Sequence, residues 1–166
     1  MKVFGLAGWS GSGKTTLLVK LVHLIALRGV LVSTVKHAHH SFDIDRPGKD
    51  SFRHRDAGAT EVLITSDTRW ALMHEVRGAS APSFDEVVAH MTPVDLLLIE
   101  GFKAYQHDKI EIHRPSLGKP MLWPQDPCIV AVASDEPLEG LALPRFDLAD
   151  PAAIVQFILT RTGLAS

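Results

Sequence analysis

The stretch Gly8-Trp9-Ser10-Gly11-Ser12-Gly13-Lys14-Thr15-Thr16 joins an apolar β-type run, Lys2 to Ala7, to an apolar helical run from about Lys14 to Arg28. Gly8, Gly13, Lys14 and Thr15 match the phosphate-loop pattern of Gly, four residues, Gly, Lys, then Ser or Thr. Each position has a physical task. Glycines let successive backbone N–H groups turn inward around a phosphate, where side chains would block the path. Lys14 brings a point charge to the β and γ oxygens, and the Thr15 hydroxyl is a ligand for Mg²⁺. The helix N-terminus points its positive end at the same phosphates. The motif predicts a nucleoside triphosphate site.

Working outward, Gly29 ends the helix, and its apolar residues cover most of the helical circumference, which predicts burial on several sides. A strand over Val30 to Val35 opens onto Lys36-His37-Ala38-His39-His40 and a polar loop reaching Asp50. A short helix around Ser51 to Ala57 follows, then two β-rich runs, Glu61 to Thr65 and Trp70 to Val76. Ser83-Phe84-Asp85-Glu86 has the form of a capping box and predicts a helix to about Met91. Asp95 to Ile99 and Cys128 to Ala133 are continuous apolar runs, as strands buried on both faces are. Lys109 to His113 alternates, which predicts one wet face. Asp150-Pro151 starts a last helix that runs to about Thr162 before Gly163. Strands alternating with helices predict an α/β fold of phosphate-loop NTPase type, a mainly parallel sheet with helices on both faces, in a single nucleotide-binding domain over residues 1–166.

The second element of such a site is an acidic residue at the carboxyl end of a neighbouring buried strand, where it orients Mg²⁺. Glu100 stands on that side and Asp95 on the other, so Glu100 joins Thr15 as a metal candidate. Lys36, His37, His39 and His40 present N–H donors beside Asp43, Asp45, Arg46, Lys49 and Asp50. The segment reads as an anion-binding loop, as a zinc site short of ligands, or as a solvated loop. Its carboxylates suit Mg²⁺ or a water, so Asp50 is a catalytic candidate beside Lys14. Asp50 also suits the N-cap of the helix at Ser51. Asp135, directly after the run to Ala133, is placed to accept bonds from a guanine base, or to form a turn before Pro137. Trp70 and Trp123 suit base stacking, and Trp70, in a β-type run, also suits the core.

Composition narrows the classes. The chain has 166 residues, 46% of them hydrophobic and 22% charged, which excludes a disordered chain. Lys plus Arg is 17 and Asp plus Glu is 19, for a net charge of −2, whereas coating nucleic acid or anionic membrane needs a basic excess. No apolar run approaches the ~20 residues of a membrane span. Cys128 is the one cysteine, so no internal disulfide forms and a reducing, cytoplasmic setting is expected.

Seven segments in this order resemble the MobB family, the GTP-binding adaptors of molybdopterin guanine dinucleotide biosynthesis. They are residues 8–16, Lys-His-Ala-His-His at 36–40, Asp-Arg-Pro-Gly-Lys-Asp-Ser at 45–51, Asp-Ala-Gly-Ala at 56–59, Arg-Trp-Ala-Leu-Met at 69–73, Leu-Ile-Glu-Gly-Phe-Lys at 98–103 and Val-Ala-Ser-Asp at 132–135. Ser41 departs from relatives that carry Asp there. The resemblance implies GTP and Mg²⁺ as cofactors, slow GTP hydrolysis, a homodimer and assistance to a MobA-type guanylyltransferase that joins GMP to molybdopterin. It carries phosphate contacts onto Gly11, Ser12, Gly13, Lys14, Thr15 and Thr16, and metal contacts onto Thr15 and Glu100. A small-metabolite kinase shares the phosphate loop but needs an Arg-rich lid, for which Arg53-His54-Arg55 is short. A GTP-driven metal-insertion chaperone would deliver its metal from the His cluster.

Overall fold

A computed structural model describes residues 1–38, 42–102 and 105–165. Their contacts divide into two compact units, Met1–His37 with Thr92–Ser166, and Ala38–Met91. The sequence reading of one domain contains no such division. In chain order the elements are β1 (Lys2–Ala7), α1 (Lys14–Leu27), β2 (Val32–Lys36), α2 (Asp50–Asp56), β3 (Glu61–Thr65), β4 (Trp70–His74), α3 (Phe84–Ala89), β5 (Leu96–Glu100), β6 (Lys109–His113), β7 (Ile129–Ser134), β8 (Arg145–Asp147) and α4 (Pro151–Thr162).

The first unit is a six-stranded sheet in the order β2-β5-β1-β6-β7-β8. Every neighbouring pair in it runs parallel. This is the mainly parallel, helix-flanked architecture the motif order predicts. Side chains alternate across a strand. Phe4 and Leu6 of β1, Leu96 and Leu98 of β5 and Ile110 and Ile112 of β6 therefore meet Leu17, Leu21 and Ile25 of α1 and Ile154 and Ile158 of α4 in one core. Each such side chain contributes roughly 1.5–3 kcal/mol on burial. Helix α1 is buried on one stripe only, because Val19 is 65% and Leu27 70% exposed. That corrects the expectation of burial on several sides: α1 packs on the sheet and α4, and Val19 and Leu27 stand on its exposed outer face.

Strand β6 also departs from the sequence reading. Its polar residues are buried with its apolar ones, because β1 and β7 flank it and its second face is covered by protein. Lys109 Nζ donates to Asp126 at 3.0 Å, and Glu111 accepts the backbone N–H groups of Leu122 and Trp123 at 2.8 and 2.9 Å. The polar alternation marks loop anchors, not water.

The second unit carries the antiparallel hairpin β3–β4 with Leu63 opposite Leu72 and Thr65 opposite Trp70. Val62 and Met73 are buried, while Leu63 is 61% and Trp70 63% exposed, so Trp70 is not a core residue. The capping box at Ser83 forms as predicted, with the Ser83 hydroxyl accepting from Glu86 N–H and the Glu86 carboxylate accepting from Ser83 N–H. Asp150 caps α4, Pro151 stands in its first turn, and Gly163 ends it in the left-handed region. No helix of the described residues is long and apolar enough to cross a membrane.

Candidate functional site

The site is built where β1, β2 and β5 end, on the carboxyl side of the sheet. Leaving β1, the chain turns through Gly8 (φ 145°), Gly11 (φ 82°) and Gly13 (φ 94°) before α1 begins at Lys14. Gly8 is required twice over. Besides its φ, a Cβ there would lie 2.6 Å from the Ile112 carbonyl oxygen and 2.8 Å from Ser12 Oγ. Ser12 is buried and its hydroxyl lacks a partner among the described residues. Lys14 Nζ folds back over the loop and donates to the Gly8 and Trp9 carbonyls, both at 2.9 Å. Gly11, Thr15 and Thr16 are exposed around it. The Trp9 indole fixes the loop's outer side by donating to the Pro120 carbonyl at 2.8 Å.

The two metal candidates are brought together. Thr15 Oγ1 donates to the Glu100 carboxylate, 3.1 Å from Oε1 and 3.2 Å from Oε2. Glu100 is only 8% exposed, at the end of the fully buried β5. A hydroxyl and a carboxylate are hard oxygen donors, the set Mg²⁺ takes alongside water and phosphate oxygens, so the residues fit that ion. Lys36 ends the adjacent β2, and its Nζ stands 3.8 Å from Glu100 Oε2. His37 follows, its N–H donating to the Glu100 carbonyl at 2.9 Å. The chain leaves β5 through Gly101 (φ 101°) and Phe102 (φ 47°), both left-handed. A Cβ on Gly101 would lie 2.7 Å from that of His37, so only glycine fits there. Backbone held in that region at a non-glycine costs ~1–3 kcal/mol and persists only where its surroundings hold it. Here the Phe102 ring rests 4.8 Å from the His37 ring.

Asp135 follows β7, where its carboxylate is ion-paired with Arg114. His39 and His40 lie outside the described residues. Asp50 belongs to the second unit, as the first residue of α2. Lys49, not Asp50, occupies the N-cap there, with no side-chain cap bond, which corrects one of the two readings of Asp50. Arg55 of the same helix is bound by the carboxylates of Asp43, Asp45 and Glu75 at 3.0, 3.3 and 2.8 Å. Those partners raise its pKa further above an already high value.

Sequence reasoning missed Arg114. Its Nε donates to the Ser12 carbonyl of the phosphate loop at 3.0 Å. The signal was available: Arg114 directly follows β6, on the side of the sheet where ligands bind. Taken together, the loop can cradle phosphates, Lys14 can neutralise them, and Thr15 with Glu100 can hold a divalent ion against them.

Comparisons with known proteins identify the family. Residues 3–135 match the family model described as MobB, molybdopterin guanine dinucleotide synthesis protein B. The chain is 38% identical over 160 residues to the molybdopterin-guanine dinucleotide biosynthesis adapter protein of Escherichia coli K12, covering 95% of this chain and 91% of that one. It is 41% identical over 138 residues to the protein of that name from Haemophilus influenzae, covering 82% and 76%. Among solved structures, a MobB protein homologue from Bacillus stearothermophilus superposes with a TM-score of 0.73 at 30% identity, over 99% of this chain and 100% of that one. A molybdopterin-guanine biosynthesis protein B (mobB) superposes with 0.76 at 27% identity, over 97% and 99%. With this loop geometry and a family match over most of its length, the chain belongs to the MobB family.

Proposed function

We propose that the protein is a GTP-binding adapter of molybdopterin guanine dinucleotide biosynthesis, working in the cytoplasm with Mg²⁺ and hydrolysing GTP slowly. The observation that carries the reading is the Thr15–Glu100 contact beside Lys14, which joins both metal candidates to the phosphate loop. In this reading Gly11 to Thr16 hold the phosphates, Lys14 neutralises charge at the β and γ oxygens, and Thr15 and Glu100 hold Mg²⁺. That ion supplies electrostatic stabilisation of the charge on the phosphates. Asp135 selects guanine, and Asp50 takes part in hydrolysis. Lys36, with His37, His39 and His40, meets an anion, either the γ-phosphate or the phosphate of molybdopterin. The position of Lys36 beside Glu100 supports that assignment. Nucleic acid and membrane are not partners in this reading.

The partner is a MobA-type guanylyltransferase, and the adapter works as a homodimer. The kinase reading loses its lid, because Arg55 is already bound by three carboxylates. The test is assembly with the purified guanylyltransferase. With GTP and Mg²⁺ the two proteins should co-elute, and Lys14→Ala should abolish the nucleotide dependence. Co-elution that is indifferent to nucleotide, or absent with wild type, would refute the adapter role.

A further inference from the structure

Arg114 follows β6 and lies against the phosphate loop. Its Nε donates to the Ser12 carbonyl at 3.0 Å, while Nη1 donates to Asp135 Oδ2. The guanidinium lies close beside the Ser12–Gly13 peptide: a Cβ on Gly13 would lie 3.6 Å from Nη2 and 3.7 Å from Nε. In a trans peptide the C=O and the following N–H point opposite ways. Holding the Ser12 carbonyl toward Arg114 therefore turns the Gly13 N–H away from it, and that N–H donates to no group among the described residues. A cation on the carbonyl also polarises the peptide and makes its N–H a stronger donor.

We propose that Arg114 is a positioning residue for phosphate binding, fixing the Ser12–Gly13 peptide from behind while Asp135 fixes Arg114. Asp135 then has a structural part that is independent of any base it reads. The side chains of Arg114 and Asp135 are 37% and 32% exposed, so the pair itself adds little to global stability. Its effect falls on the donor it aims. The inference rests on the phosphate-loop reading but not on the choice of guanine.

The experiment is a double-mutant cycle with Arg114→Met and Asp135→Asn, reading Kd for GTP and for ATP with Mg²⁺, and the melting temperature without nucleotide. Losing one charge-assisted bond behind the loop should weaken both nucleotides about tenfold and by the same factor. Asp135→Asn should show a comparable loss common to both nucleotides, and the double variant should lose no more than the worse single one. Arg114→Lys, which keeps the charge, should recover part of the affinity. The nucleotide-free variants should melt within about 2–4 °C of wild type. Unchanged affinity in Arg114→Met, or additive losses in the double variant, would overturn the proposal. A GTP-to-ATP ratio of one in wild type would remove only the base assignment. Wild type binding neither nucleotide would remove the phosphate-loop reading, and this proposal with it.

Discussion

His107 shows how much a single buried ring can decide. Its Nδ1 is bonded to the Tyr105 carbonyl at 2.9 Å, and its Nε2 is buried with no hydrogen-bond partner among the described residues. A Cβ on Gly5 would lie 2.2 Å from that Nε2, so β1 passes the ring only because residue 5 is glycine. Burial lowers the His107 pKa, and the Lys109 charge pushes it the same way. The unfolded chain, with an ordinary value near 6.5, therefore takes up the proton first as pH falls. Stability contributed by the neutral ring is complete above about pH 6.5 and is lost below it. Melting temperatures between pH 7.5 and 5.5 should fall for wild type and fall less steeply for His107→Gln; parallel curves would refute this. At the site, Lys14→Ala should weaken GTP more than tenfold, since charge-assisted bonds contribute ~1.5–3 kcal/mol each. Glu100→Gln should instead reduce the gain in GTP affinity that Mg²⁺ brings. An unchanged Mg²⁺ response would move the metal role to another carboxylate, with Asp50 next to be examined.

At the scale of elements, β6 explains why part of the site was hidden. Lys109, Glu111 and His113 alternate with two isoleucines, a pattern that ordinarily means a wet face. Here the carboxylate of Glu111 replaces water by accepting two loop N–H groups. Glu111→Ala leaves both donors without that acceptor and should destabilise the protein by about 2–4 kcal/mol. Limited proteolysis within residues 118–127 should accelerate with it, and unchanged cleavage would contradict the anchor. The same tertiary context hid Arg114, whose task depends on which loop lies beside the end of β6. By contrast, β5 was legible because an unbroken apolar run can only be buried on both faces. The phosphate loop was legible because its spacing encodes its own backbone path. Strand β8 was not: three residues with exposed ends at the sheet edge carry no periodic signal. The start of β2 was read two residues early because Val30 and Leu31 look like strand. Leu31 is 65% exposed, and its N–H donates to the Asp95 side chain at 2.8 Å.

For the molecule as a whole, the sequence reading supplied the fold and the family, while the division of the chain into two units came from the structure. Residues 38–91 hold 15 of the chain's 36 charged residues in 54 positions, an enrichment that a solvated loop of a single domain would show as well. Its hairpin presents Leu63, Trp70 and Leu72 on one face, 61%, 63% and 39% exposed. A two-stranded hairpin is marginal unless its apolar faces are covered. A second copy of the chain would cover this one in the proposed homodimer. Sedimentation should then find a dimer for wild type and a monomer for Trp70→Glu; a monomeric wild type would refute it. Nucleotide binding is measured by calorimetric titration of the wild-type protein with GTP and with ATP, each with and without Mg²⁺. GTP should bind saturably, tightened by Mg²⁺ and more strongly than ATP. Absence of GTP binding, or an affinity indifferent to both base and Mg²⁺, would contradict the GTP-binding reading.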